Sequence, residues 1–266
     1  MWFSDFILMH RVVGISDMIS IEHQRPKRVE FNRPFSCVSI KFGTASKHLE
    51  HVLDGKKSLI WLDYDGGLDS ALAGDVEMAV AGLPSGSVVL VTVNAMVDQL
   101  KGRTRDGAEL SPIDAFVEIT DTSSARSRES ELTRADFPKL VAEIVHNRLR
   151  SAVLSFKPDC SYLPIWSIQY ADQAVMITVG GMVVDDADAT KVFQSKVFDL
   201  ASSSRENLYK IDLPVLTEKE RRALDRILPF DGTIEPETLE FELTPSQIRA
   251  YQEFYLDFPS FNELAL

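Results

Sequence analysis

Cysteine is nearly missing: Cys37 and Cys160 are the only two in 266 residues. Both sit in strand-like apolar stretches, which predicts two buried free thiols in a reducing compartment rather than a disulfide. No cysteine spacing of the metal-binding type occurs. Positive charge is the next shortage, since 28 Lys and Arg against 40 Asp and Glu leave a net charge of −12. Such a surface repels phosphate backbones and anionic headgroups, which argues against nucleic acid and membranes as partners. One local exception stands out: Arg25-Pro26-Lys27-Arg28, with Arg33 close behind, reads as a solvated turn between two strands. No apolar run approaches the ~18 residues of a membrane span. The apolar start, Met1 to His10, carries Asp5 and lacks the basic lead and small-residue cleavage site of a signal peptide. Together these absences predict a soluble, cytoplasmic protein. No serine–histidine nucleophile pattern, zinc spacing or phosphate loop is present.

What is there suits a large core, with 45% hydrophobic and 26% charged residues. The stretch that organises the chain is Ser58-Leu-Ile-Trp-Leu-Asp63-Tyr64-Asp65-Gly66-Gly67-Leu68-Asp69. An apolar run of strand length ends there in two alternate carboxylates and two glycines. In an open α/β sheet, ligands collect beyond the carboxyl ends of the strands. If the strand runs from Ile60 to Asp65, Asp63 and Asp65 point to one face. The plainer reading of Asp65-Gly66-Gly67 is turn chemistry.

Around this stretch, helix and strand alternate. A helix spans 3–13 and ends at Gly14, and a short strand ends at Glu22. A second strand runs from Phe35 to Gly43, followed by a short helix from Ser46 to Leu53. Ser70 to Gly82 is helical, and the β-branched run Ser87 to Val93 is a strand. That alternation implies a parallel sheet. From Asp98 to Arg134 the pattern degrades into a polar, substrate-facing segment or an ordinary surface loop. Helical spacing returns from Phe137 to Ser151. The strands Cys160–Tyr170 and Ala174–Gly181 pair as an antiparallel hairpin, where Gly180-Gly181 invites a bulge or a close backbone approach. Beyond the linker-like Ala201-Ser-Ser-Ser-Arg205, Thr217 and Glu220 form a capping box. A last helix opens with Pro245 at its first position. Its aromatic residues Tyr251, Phe254 and Tyr255, with Phe258 and Phe261, are numerous for a small helix and suit packing onto the main domain or a protein interface.

This element order resembles the class I S-adenosylmethionine-dependent methyltransferases over roughly residues 3–200. The resemblance implies a Rossmann-like, mostly parallel α/β sheet closed by an antiparallel hairpin. It also implies S-adenosylmethionine as cofactor. Glu22 would hold the ribose hydroxyls, Gly43 and Thr44 would lie near the adenine, and Asp63 or Asp65 would act on the acceptor. The family's first strand and glycine-rich loop would precede the first helix, and this sequence opens inside that helix. Hence a domain of residues 1–200 is expected, followed by a small helical module, 201–266. A non-catalytic subunit of a protein complex, or a homo-oligomer held through the aromatic C-terminal helix, is the alternative. A rival resemblance is to haloacid-dehalogenase-type phosphatases. There Asp63 would be nucleophile and Asp65 acid/base around Mg²⁺, Thr92 would bind phosphate, and Asp185 and Asp186 would be late metal ligands. Gly67 stands where that motif has threonine.

Overall fold

A computed structural model describes residues 3–120, 123–171, 174–194 and 208–257. In chain order, α1 (Ser4–Leu8) runs into a π-helical turn (Met9–Val13) and is followed by β1 (Met18–Glu22), α2 (Pro26–Asn32) and β2 (Val38–Phe42). Next come α3 (Ala45–Val52), β3 (Leu59–Asp63), α4 (Ser70–Gly82) and β4 (Ser87–Asn94). The short pair β5 (Thr104–Arg105) and β6 (Ala108–Glu109) leads to α5 (Pro112–Thr120) and the long α6 (Phe137–Phe156). The chain continues through β7 (Ser161–Ala171), β8 (Val175–Val184), α7 (Asp186–Gln194), β9 (Tyr209–Ile211), α8 (Glu218–Asp225) and α9 (Pro245–Phe254). No helix among the described residues is long and apolar enough to cross a membrane.

Two compact units result, Met1–Phe42 with Ile211–Leu266, and Gly43–Lys210. This division differs from 1–200 and 201–266 because Phe3, Met18, Val29 and Val38 bury together in a small cluster of their own. The linker at Ala201–Arg205 lies outside the described residues.

In the first unit, β1 and β2 form a two-stranded parallel pair, with Met18 opposite Val38 and Glu22 opposite Phe42. The first helix ends as its Gly14 demands, in the left-handed region at φ +80°. Residues 25–28 are not a turn between strands but the start of α2, with Pro26 in its first turn and Val29 as its buried anchor. A proline at N1 costs no hydrogen bond and is preset for the helix. Both C-terminal helices carry capping boxes. Thr217 and Glu220 bond each other's backbone N–H at 3.3 and 2.7 Å, and Thr244 and Gln247 do so at 3.3 and 2.9 Å. Tyr251 and Phe254 are buried, and the Tyr251 hydroxyl donates to Asp225 Oδ1 at 2.6 Å, joining α9 to α8. Phe258 and Phe261 lie outside the described residues.

The second unit is built on one mixed sheet in the order β3-β4-β8-β7-β9. β3 and β4 are parallel, and β8 runs antiparallel to both β4 and β7. The parallel pairing expected for residues 1–95 is thus present as two separate pairs, in an α/β fold whose larger sheet is mixed. The last strand of the hairpin inserts between β4 and β7, so the chain closes the sheet backwards. Leu62, Val89, Val91, Val93, Ile177, Val179 and Val183 present one apolar face, onto which α4 and α6 pack. The 98–134 region is not merely loop. It holds α5, whose Ala115, Phe116 and Ile119 are buried in that same core. Cys37 and Cys160 are half-buried free thiols rather than fully buried ones.

The expected irregularity at Gly180-Gly181 is real: the β7–β8 register shifts between Pro164 and Trp166. A Cβ on Gly181 would lie 2.1 Å from the Leu163 carbonyl oxygen, and one on Gly180 would lie 2.5 Å from that of Val89. Backbone atoms in a paired strand cannot yield as a flexible side chain does. Gly181→Ala is therefore expected to cost about 1–3 kcal/mol in urea unfolding, the range of overpacked cores. An unchanged midpoint would show that the strands can part there.

Candidate functional site

The candidate residues fall in both units, Glu22 in the first and Gly43, Thr44, Asp63 and Asp65 in the second. Glu22 ends β1 at the end of the strand pair that ligands use in open α/β sheets. Ser20, two residues earlier on the same face and 4% exposed, donates its hydroxyl to Glu22 Oε1 at 2.8 Å. This bond fixes the carboxylate's orientation and leaves Oε2 with both lone pairs. No basic side chain pairs with Glu22 among the described residues, so its acceptor capacity is open to hydroxyl donors. The neighbouring His23 is exposed, its ring nitrogen 3.1 Å from Gln24 Nε2. His10 is a satisfied boundary residue, with Nδ1 2.8 Å from the Ile15 carbonyl oxygen.

Gly43 follows β2 at φ +148°, where a Cβ would lie 2.8 Å from His48 Nε2. Thr44 is the N-cap residue of α3 but does not cap with its side chain, which instead meets Ser46 Oγ at 3.1 Å.

Asp63 is the last residue of β3 and is exposed. Asp65 is exposed too, but it lies beyond the strand, so regular alternation does not govern where it points. The two glycines end the strand earlier than the Ile60–Asp65 reading. What holds the segment is the residue between the carboxylates. Tyr64 turns inward and packs on the core, and its hydroxyl donates to Asp75 Oδ2 of α4 at 2.5 Å. Burial first, and Asp75 second, push the Tyr64 phenol far above its usual range, so it stays a donor at any ordinary pH.

The loop after β4 secures the other side. Asn94 N–H donates to the Gly66 carbonyl at 2.9 Å, and Gln99 Nε2 donates to the Asn94 carbonyl at 2.8 Å. Gln99 Oε1 sits so close to Gly67 that a Cβ there would lie 1.2 Å from it. Asp69 caps α4 through Leu72 N–H at 2.8 Å, and Arg148 of α6 reaches the Asp69 carbonyl at 3.2 Å. Turn chemistry therefore accounts for the glycines and for Asp69, while Asp63 and Asp65 stay on the surface. Sequence reasoning missed Ser20, Tyr64, Asp75 and Gln99. The one usable signal was Asp75, a carboxylate whose helical neighbours three and four positions away, Ala71, Leu72, Met78 and Ala79, are all apolar.

Tyr64→Phe would leave the Asp75 carboxylate, 5% exposed, without this donor. It is expected to cost roughly 2 kcal/mol in urea unfolding, as for a buried charged group losing one hydrogen bond. A loss under a few tenths would mean that water replaces the hydroxyl.

The phosphatase reading fails on its partners. Thr92 is fully buried and bonded to Trp61 Nε1 and Thr178 Oγ1, each at 2.8 Å. Asp185 accepts the Asp188 N–H at the start of α7, and no group of three potential metal ligands occurs among the described residues. A hollow of about 510 Å³ opens between α4, α5 and α6 on the helical side of the sheet, and none of the candidate residues lines it. Its walls include the Arg128–Glu143 ion pair, at 2.9 Å.

The parallel pair ending in Glu22 and the mixed sheet with its reversed strand are those of an α/β protein. The chain belongs to the family described as "Putative O-methyltransferase", whose model matches residues 1–266. No curated protein matches it in sequence. Among solved structures it is similar to the one described as PigF with SAH, at 13% identity and a TM-score of 0.33, covering 66% of this chain and 51% of that one. The chain thus spans about half the length of that protein. It is also similar to a variant of the 16S rRNA (adenine(1408)-N(1))-methyltransferase from Catenulisporales acidiphilia, at 10% identity and a TM-score of 0.36, covering 70% of this chain and 83% of that one. At such scores these likenesses add nothing to the topology.

Proposed function

We propose that the protein transfers a methyl group from S-adenosylmethionine to an oxygen acceptor. The observation that carries this reading is Glu22, a carboxylate at the end of a parallel strand, oriented by a buried serine and with lone pairs to spare. That donor set fits a ribose, whose two adjacent hydroxyls each need an acceptor, and a charged acceptor gives the stronger bond. The chemistry the cofactor supplies is an electrophilic methyl on a sulfonium. Glu22, in the first unit, holds the ribose.

Asp63 and Asp65 serve the acceptor. A carboxylate within hydrogen-bond reach of a hydroxyl would orient it and take up its proton. Tyr64 and Gln99 keep the backbone that bears these carboxylates fixed, so that little ordering is left to the moment of binding.

Titration calorimetry of the whole chain tests the reading. Saturable binding of S-adenosylmethionine and of S-adenosylhomocysteine is expected; no heat for either at high protein concentration overturns it.

A further inference from the structure

The basic run singled out in the sequence takes no part in the methyl-transfer reading, and its surroundings in the structure are unusual. On α2 only Val29 is buried, at 2% exposure, while Phe31 stands 88% exposed. Lys27 and Arg28 precede Phe31 by four and three positions, so they flank it on one helical surface. Arg25, Lys27 and Arg28 are exposed, and none of their side chains forms an ion pair or hydrogen bond among the described residues. The nearby acid, Glu30, is 4.0 Å from Arg33. In a chain with 40 acidic residues, three adjacent unpaired cations around a bare aromatic ring are not the usual surface mixture. The net charge of −12 does not cancel them at contact, since at ~0.1 M salt charges more than about 10 Å away are screened.

We propose that α2 is a docking site for single-stranded nucleic acid, with Arg25, Lys27 and Arg28 on phosphates and Phe31 stacked on a base. Cations tracking a backbone beside an aromatic platform are the recurrent means of binding single strands, whose bases are free to stack. A duplex offers Phe31 no base face. One outward aromatic on a seven-residue helix is too little apolar surface for a bilayer to favour. An acidic peptide would use the cations and leave the ring without a role.

The test is fluorescence anisotropy of the full chain with a labelled single-stranded oligouridine RNA. Binding is expected at 50 mM salt and should weaken about 20-fold at 200 mM, as for roughly three phosphates released from counterions. The double variant Lys27→Glu, Arg28→Glu should lose at least tenfold and show a flatter salt dependence. Phe31→Ala should lose about tenfold for RNA but leave competition by inorganic polyphosphate unchanged, whereas Phe31→Trp should retain affinity and be quenched on binding. No binding at 50 mM salt would overturn the proposal, as would equal losses of RNA and polyphosphate in Phe31→Ala. Binding to phosphatidylserine vesicles but not RNA, lost in Phe31→Ala, would assign the patch to a membrane and overturn it as well.

Discussion

Glu22→Gln is expected to lower the affinity for S-adenosylhomocysteine about 100-fold in calorimetry. The substitution keeps the size of the side chain and the link to Ser20, but it removes the charge and half of the acceptor capacity. Each hydrogen bond from a hydroxyl to a carboxylate contributes roughly 1.5–3 kcal/mol. Weakening both ribose bonds therefore costs about 3 kcal/mol, at about 1.4 kcal/mol per tenfold. Ser20→Ala should lose only a fewfold, because it frees the carboxylate to rotate without removing it. Glu30→Gln, exposed on α2 of the same unit, should change nothing. If Glu22→Gln binds as tightly as the native chain, the ribose is held elsewhere.

Stability should fall by about 3 kcal/mol as pH drops from 7 to 4, with His146 the main cause. This ring lies in α6 at 6% exposure, with Nδ1 2.9 Å from the Tyr162 hydroxyl and Nε2 2.8 Å from Ser167 Oγ. A neutral imidazole donates from one nitrogen and accepts at the other, and two hydroxyls can satisfy both. Burial, with a smaller push from Arg150, lowers its pKa from 6.5 to about 4. The folded state thus takes up its proton later than the unfolded chain does. Stability is fully present above pH 6.5 and is lost as pH falls toward 4, at about 1.4 kcal/mol per unit. His146→Gln should flatten this segment of the pH profile, measured by urea midpoint. A native profile flat between pH 7 and 4.5 would show that the folded state protonates the ring at no cost.

How legible the protein was in its sequence depends on how local each feature is. The strand Ser87–Asn94, the hairpin 161–184 and the Thr217–Glu220 capping box follow from patterns within a few residues. So does the close approach at Gly181, which a glycine pair in a strand announces. Helix α2 was hidden because its charges read as a solvated turn and only Val29 faces inward. The neighbours of each strand were hidden too, since alternating strands and helices fix direction but not order. Asp65 lies outside the alternation because β3 ends at Asp63, two residues short of the strand the sequence suggests. The contacts Tyr64–Asp75, His146–Tyr162 and His146–Ser167 join residues 11, 16 and 21 positions apart, which no period of helix or strand relates. The strand ends that bear Glu22 and Asp63 were legible; Ser20, Tyr64 and Gln99, which hold their surroundings, were not.

Native mass spectrometry of the whole chain tests the use of S-adenosylmethionine most directly. A one-to-one adduct with S-adenosylmethionine is predicted, displaced by excess S-adenosylhomocysteine, unaffected by adenosine triphosphate and lost in Glu22→Gln. An adduct that forms equally in Glu22→Gln, or no adduct at all, would contradict it.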